Sequence, residues 1–434
     1  MKLLILGYGM VGSSVFDLLT GEGIIPPGDI YMADRSDEAR ERFVSHGGEA
    51  GNAFRIDVNS KNYMQTVEKL SAGDILLGLA DGIDSCALLE VCCKRGIHYL
   101  STADGSFEDA GGETCDTEEM HLAQALQIGK RYPHAATSIL QFGCNPGLVS
   151  VMVKKALRDI VAEDDGEFVT ENRAELDGLL RRNDFPGLAG TLSLRTIIET
   201  DLDTTATNIK EENNALYSTW NVRDFEMEMN RPATFMVGTE KPEKSLTAAL
   251  EAAGLCSPCA AFRPGRMVLN RPAKEACLKA VSKNKHFEGY ILPHEELFSI
   301  YRYLTVKGRD GRPVYSPSVL FLYRPCELAL RSLFHEKNEK FVLITNDRVL
   351  SGDETVGVLL TGDNFRPKYV YTRMAADSSR SETPTVFQVS ASLLGAIKYV
   401  IAHRREGVLL PEDVEDSELL ASVGRHLPIF SGTL

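Results

Sequence analysis

Short apolar runs alternate with amphipathic stretches through the first third of the chain. Residues 3–6, 30–33, 74–78, 98–100 and 137–142 are predicted strands, and residues 11–19, 85–94 and 118–130 carry apolar positions at helical spacing. Strand–helix alternation at this interval predicts a mostly parallel, doubly wound sheet. The pattern changes after Gly147. A predicted helix over 148–157 leads into a stretch rich in Asp and Glu. Longer alternating runs follow at 192–200, 234–237, 297–303, 319–323 and 341–345. Long strands without intervening helices predict an antiparallel sheet, hence a second domain of α+β type. A long helix is predicted over 386–402.

The first strand runs straight into Gly7-Tyr8-Gly9-Met10-Val11-Gly12 and then into an apolar helix. That is the context a dinucleotide fingerprint needs, at the start of a strand–helix–strand unit. Gly7 permits the tight turn, Gly9 lets the backbone approach a pyrophosphate, and Gly12 lets the helix pack closely on the strand. The helix N-terminus offers free N–H groups to phosphates. The second strand ends at Asp34, twenty-two residues past Gly12, where an acid would hydrogen-bond the adenosine ribose. An acid there favours NAD over NADP, although Arg35 next to it is a residue that could accommodate a 2′-phosphate. The fold class is therefore α/β, with an N-terminal NAD-binding Rossmann domain. After the strand at 74–78, Ala80 and Asp81 reach the crevice at the carboxyl ends of the strands. Asp81 either contacts cofactor or substrate there or caps the helix that starts near Asp84.

The formal net charge of −14 argues against a nucleic-acid partner and would concentrate cationic ligands; it would equally serve solubility alone. There is no run of eighteen apolar residues and no signal-peptide pattern, so no membrane partner and a cytoplasmic location are expected. The nine cysteines show no disulfide framework. Cys256 and Cys259 form an isolated CxxC without a second ligand pair, so no metal is expected.

Five segments in order resemble the bacterial homospermidine synthases, relatives of the saccharopine-dehydrogenase-like enzymes. They are Gly143-Cys144-Asn145-Pro146-Gly147-Leu148-Val149-Ser150, Ser218-Thr219-Trp220-Asn221-Val222, His294-Glu295-Glu296-Leu297-Phe298-Ser299-Ile300, Tyr323-Arg324-Pro325-Cys326 and Phe387-Gln388-Val389-Ser390-Ala391-Ser392. The resemblance covers nearly the whole chain. It implies a cycle in which NAD oxidises putrescine to an imine. A second putrescine displaces ammonia, and the returned hydride gives homospermidine. NAD is thus a recycled hydride carrier and the net reaction a transfer. It also implies a homodimer, with spermidine as a further substrate. Residues 1–145, completed by 385–434, would be the NAD-binding domain. Residues 146–384 would be the α+β catalytic and dimerisation domain, with the active site in the cleft between them.

Such chemistry must hold dications and give one amine access to a base. Trp220, the only tryptophan, matches the family's aromatic residue that stacks on the substrate cation; taken alone it would read as a core aromatic. Asp201 and Glu228 match the carboxylates of the amine pocket and its entrance. The family has a glutamate where Asp201 stands, and Glu199 and Asp203 flank it on the same strand face. His294 and Glu296, two apart in a segment read as extended, would form an acid–base pair facing the nicotinamide, with the imidazole near neutral pKa. Asn145 and Pro146 either face the cofactor crevice, with Asn145 also in a catalytic role, or simply make the turn. Two stretches depart from the family pattern. Residues 363–382 bring in Arg366, Lys368 and Arg373, and a glutamate expected after residues 98–100 is replaced by Asp104 or Glu108. These departures keep open a dehydrogenase of the saccharopine or carboxynorspermidine kind, acting on a carboxylated amine. A catalytically dead NAD sensor is the third reading.

Overall fold

The computed structural model describes residues 1–102, 105–106, 117–240, 246–256, 263–282 and 285–434. Asp104, Glu108 and Cys259 lie outside these residues. The chain divides into two compact units, Met1–Leu148 with Val386–Leu427, and Val149–Thr385 with Pro428–Leu434.

In the first unit, seven parallel strands form one sheet. Their order is Val408–Leu409, Ser138–Ile139, His98–Ser101, Ile75–Gly78, Leu3–Leu6, Ile30–Asp34 and Ala53–Arg55. Leu3–Leu6 is buried at every position, as expected of a strand covered on both faces. The C-terminal segment belongs here because Val408–Leu409 adds in parallel to Ser138–Ile139. Its helix Pro384–Ala402 is long and apolar enough to cross a membrane by length and composition. Its apolar window is nevertheless 72% buried, which marks a core helix.

The second unit is built on nine strands among the described residues. Leu194–Asp203 lies at the centre, with Ser318–Arg324 on one side and Asp353–Gly362 on the other. The predicted antiparallel sheet is in fact mixed, because Ser318–Arg324 runs parallel to Leu194–Asp203. The last residues, read as completing the first domain, instead supply the strand Ile429–Thr433, which pairs with Lys368–Ala375 in this second sheet.

The largest secondary-structure correction concerns residues 297–303, read as a strand. They lie in the helix Glu295–Leu304. The apolar pairs Leu297-Phe298 and Ile300-Tyr301 recur every three residues, which is a helical stripe and not an alternation. Glu295 and Glu296 in the first turn also suit a helix N-terminus.

The two faces of the central sheet differ in kind. One carries Ile198, Leu320, Leu322, Leu359 and Tyr369 into a continuous apolar core. Each such large side chain, fully buried, contributes about 1.5–3 kcal/mol. The other face, set by the period of two, carries Glu199, Asp201 and Asp203. Register places Phe321 beside Glu199 and Tyr323 beside Asp201 on one neighbour, and Glu354 beside Asp203 on the other.

Candidate active site

In the first unit, the strands Leu3–Leu6 and Ile75–Gly78 are neighbours whose chains depart in opposite directions, the switch point where open α/β sheets bind ligands. A cleft of about 490 Å3 opens there, lined by Gly7, Gly9, Asp34, Arg35, Ala80 and Asp81 among others. Gly7 has φ +92°, and a Cβ on it would lie 2.6 Å from the Ala80 nitrogen. A Cβ on Gly12 would lie 2.9 Å from the Gly7 carbonyl oxygen, so this glycine seats the helix on the strand. At Gly9 a Cβ would meet nothing within 4 Å. That glycine guards open space at the head of the helix Met10–Gly21, whose first turn receives no side-chain cap. Open space, free N–H groups and the helix dipole together fit a pyrophosphate.

Other residues of this unit fall differently. The Tyr8 ring is fully buried, packed edge-on against Phe16 and Phe43, and does not line the cleft. Its backbone N–H donates to Asp34 Oδ2 at 2.7 Å, while the Ser36 N–H donates to Oδ1 at 2.9 Å. Asp34 therefore braces the glycine turn as well as facing the cleft. Met10 and Val11 sit half-buried at the helix head. Asp81 is not the cap of the next helix, because Asp84 fills that role by accepting the Ala87 N–H at 2.8 Å. The amide oxygen and nitrogen of Asn145 are both buried without a hydrogen-bond partner, a pair of groups a ligand could satisfy. Pro146 follows it through a cis peptide bond.

In the second unit the residues singled out from sequence converge on the acidic sheet face. The helix Glu295–Leu304 begins over this face, with His294 extended at its cap. The His294 imidazole Nδ1 is paired with the Glu296 carboxylate and lies 3.5 Å from that of Glu295. Its ring packs edge-on against Phe321, with centroids 5.1 Å apart. Helical geometry therefore makes the contact that an extended reading had assigned to alternation. These three side chains bring ligand atoms within 4.8 Å of one another. Nδ1 of the imidazole is already committed to Glu296, an arrangement that suits a proton-handling pair. Trp220, half-buried, follows the strand Ala215–Ser218 and donates its indole N–H to the Tyr323 hydroxyl at 3.1 Å. The next helix, Val222–Asn230, is capped by Asn221 and carries Glu228.

Burial governs the protonation of this face. It raises Asp201 to about 7, opposed by a hydrogen bond to Glu354 and reinforced by the charge of Asp203. It also raises Glu228 to about 8, against the pull of His294. Glu354 is driven well up by burial and by Asp201 and Asp203. Burial alone would pull His294 down, but the carboxylates of Glu296 and Glu295 outweigh it and hold the imidazole up, to about 10. Burial likewise opposes ionisation of Glu296, yet His294 keeps it below the usual range. At neutral pH the histidine is thus a cation paired with Glu296, and not the near-neutral shuttle expected from sequence. Asp203 differs from its neighbours. It accepts from the Thr205 N–H and the Thr219 hydroxyl, both at 2.8 Å, and serves the structure.

Sequence reasoning missed Tyr323 and Glu354 as members of this face. Glu354 comes from a strand about 150 residues away and is brought in only by antiparallel register. Glu199, noted only as a flank of Asp201, is fully buried on the same face, and a hydrogen bond from it helps hold Glu296 low.

Residues 3–140 match the family described as "Saccharopine dehydrogenase NADP binding domain". Along nearly its whole length the chain is similar to homospermidine synthases. It is 23% identical to the homospermidine synthase of Blastochloris viridis, over 95% of this chain and 87% of that one. With the enzyme of Mesorhizobium japonicum it shares 22%, over 95% and 86%. Among solved structures, the homospermidine synthase of Legionella pneumophila in complex with NAD superposes with a TM-score of 0.82 at 22% identity, covering 100% of this chain and 91% of that one. Apo saccharopine dehydrogenase (L-Glu forming) of Saccharomyces cerevisiae follows the fold at a TM-score of 0.57 and 10% identity, with both chains covered in full. The resemblance read from five segments thus extends over the length of the chain.

Proposed function

We propose that this chain is an NAD-dependent homospermidine synthase that joins two putrescine molecules with release of ammonia. The observation that carries the reading is the acidic face of the second sheet, where Asp201, Glu228, Glu296 and Glu354 gather around one tryptophan and one imidazole. Three of these acids, Asp201, Glu228 and Glu354, are raised by burial; they are poised to lose their protons when a cation arrives, and so suit an amine that enters as a dication.

The first unit would hold the dinucleotide through Gly7, Gly9, the helix head at Met10 and Val11, Asp34, Ala80 and the Asn145 amide, with Pro146 shaping the turn. Bound there, NAD would supply reversible oxidation at the carbon bearing the amine. Asp34 on the cleft favours NAD, since a carboxylate repels a 2′-phosphate. In the second unit Asp201, near 7, is matched to accept a proton from the bound ammonium, making the neutral amine that the chemistry requires. His294, held cationic by Glu296, is suited to return a proton to departing ammonia. Trp220 would hold the cationic end of the amine on its ring and Glu228 the distal amine, while Asp81 guards the cofactor side. Ammonia leaving one putrescine is balanced by the new carbon–nitrogen bond to the second.

The rival, a dehydrogenase for a carboxylated amine, calls for an arginine clamp. The basic residues of the divergent stretch are already paired. Arg366 is 2.5 Å from Asp165, Lys368 is 2.5 Å from Glu163, and Arg373 is 2.6 Å from Asp353. That favours a substrate without carboxylates. A cytoplasmic homodimer is part of the same reading; the location is supported by seven free cysteines among the described residues.

The test is incubation of purified protein with putrescine and catalytic NAD, followed by mass spectrometry of polyamines and by NADH absorbance. Homospermidine in large excess over NAD, with no net NADH, is expected. Its absence, with turnover of a carboxylated amine instead, would overturn the reading.

A further inference from the structure

Trp220 stands in a short connection between the strand Ala215–Ser218 and the helix Val222–Asn230. The indole N–H reaches the hydroxyl of Tyr323 at 3.1 Å, and the ring meets Phe225 edge-on with centroids 6.2 Å apart. Phe225 in turn meets Tyr323 edge-on at 6.2 Å, so the three rings close a triangle of one hydrogen bond and two aromatic contacts. Tyr323 is the rigid corner. It is buried within the strand Ser318–Arg324, paired with Tyr290 on one side and Asp201 on the other, and stacked on Phe321 with centroids 6.3 Å apart.

We infer that Tyr323 is a positioning residue that fixes the plane of the Trp220 indole, and so sets how strongly that ring receives the substrate's cation. A cation–π contact depends on the ammonium lying over the ring face; a ring free to tilt loses much of it. The phenol is suited to the task for a second reason. Burial first, then the charges of Asp201, Asp203 and Glu354, push its ionisation far up. It therefore remains a neutral hydroxyl throughout the working pH range, accepting from the indole while keeping its own proton to give. The kinetic part of this inference rests on the amine reading above; the anchoring part does not.

Because Trp220 is the only tryptophan, the protein has one indole N–H signal, and that signal reports the anchor directly. The experiment compares the full-length wild type and Tyr323→Phe, both with NAD, by heteronuclear NMR without and with putrescine, alongside steady-state kinetics. Phenylalanine keeps both ring contacts, so a melting temperature near that of the wild type is expected. In the amine-free variant the indole cross-peak should move, and its N–H should exchange with solvent at least tenfold faster. KM for putrescine should rise about fivefold, the scale of one neutral hydrogen bond, with kcat changed less than about twofold. NAD affinity should be unchanged. An unmoved cross-peak with unchanged exchange would overturn the anchor whatever the substrate. A moved cross-peak with unchanged KM would overturn its role in receiving the cation. A moved cross-peak in a protein whose wild type neither responds to putrescine nor turns it over would uphold the anchor and sink the amine reading.

Discussion

The two units build their chemistry from different materials. The dinucleotide cleft is made largely of backbone. Its shape comes from Gly7, Gly9 and Gly12, and its attraction for phosphate from unpaired N–H groups at a helix head. The acidic face of the second unit is made of side chains, with buried charges tuned by one another. A backbone site tolerates many side chains but few added atoms. A site of coupled carboxylates tolerates added atoms but not a changed charge.

The largest effect should come from changing His294, the proposed proton carrier. His294→Gln preserves volume and a hydrogen bond to Glu296 but cannot carry a proton, so kcat should fall about 10²–10⁴-fold. The companion variant Glu296→Gln removes the carboxylate that outweighs burial, so the imidazole pKa should drop and the alkaline limb of the kcat/KM profile should move to lower pH by more than about one unit. An unmoved limb would mean that His294 does not set it.

Next comes the aromatic receptor. Trp220→Ala should lower kcat/KM about 30-fold, on the scale of a desolvated cation–π contact of about 2 kcal/mol. NAD affinity measured by titration should stay within about twofold, since Trp220 belongs to the second unit and the dinucleotide residues to the first. Retained turnover would remove Trp220 from the amine site.

The converse test belongs to the backbone site. Gly9→Ala adds one methyl group where nothing lies within 4 Å, so folding should be unaffected. If pyrophosphate occupies that space, NAD affinity should weaken at least about tenfold, or ~1.4 kcal/mol. Normal affinity would place the cofactor elsewhere. Gly7→Ala should behave oppositely and lose stability first, because its φ is +92° and the new atom meets the Ala80 backbone.

The same difference in materials decides how much was legible in the sequence. The glycine motif, the acid at the end of the second strand and the alternation around them are local. The parallel sheet and its crevice followed from them, and the fold class was readable. Tyr8 was assigned to the cofactor because a motif names positions and not directions; its ring turned into the core against Phe16 and Phe43. The acidic face is non-local. Asp201, Trp220, His294 and Glu296 entered through the family resemblance, and only strand register and a helix start bring them together. The doublets over residues 297–303 repeat every three, so they form a helix where alternation predicts a strand, and the helix start brings His294 onto Glu296. Glu354 carried no local signal, and Tyr323 stood in a matching segment without a role; each joins the face by lying opposite Asp203 or Asp201 in the sheet.

The smallest effect separates the two kinds of site most sharply, because it is a matter of stability and pH. Asp201 has its pKa raised to about 7 by burial, from an ordinary value of about 3.9. The folded protein therefore holds this proton more tightly than the unfolded chain. By linkage, the stabilising contribution is full below about pH 4, declines as pH rises, and is lost once pH passes the folded value near 7. Asn keeps the shape of the side chain and never ionises. Asp201→Asn should thus melt a few degrees above the wild type at pH 8 and show a smaller gain, or none, at pH 5, while its turnover falls. Gly7→Ala, in the backbone site, should melt below the wild type by the same margin at both pH values, since strain does not titrate. A gain for Asp201→Asn that is equal at pH 5 and pH 8 would mean that charge burial is not what this position costs the fold.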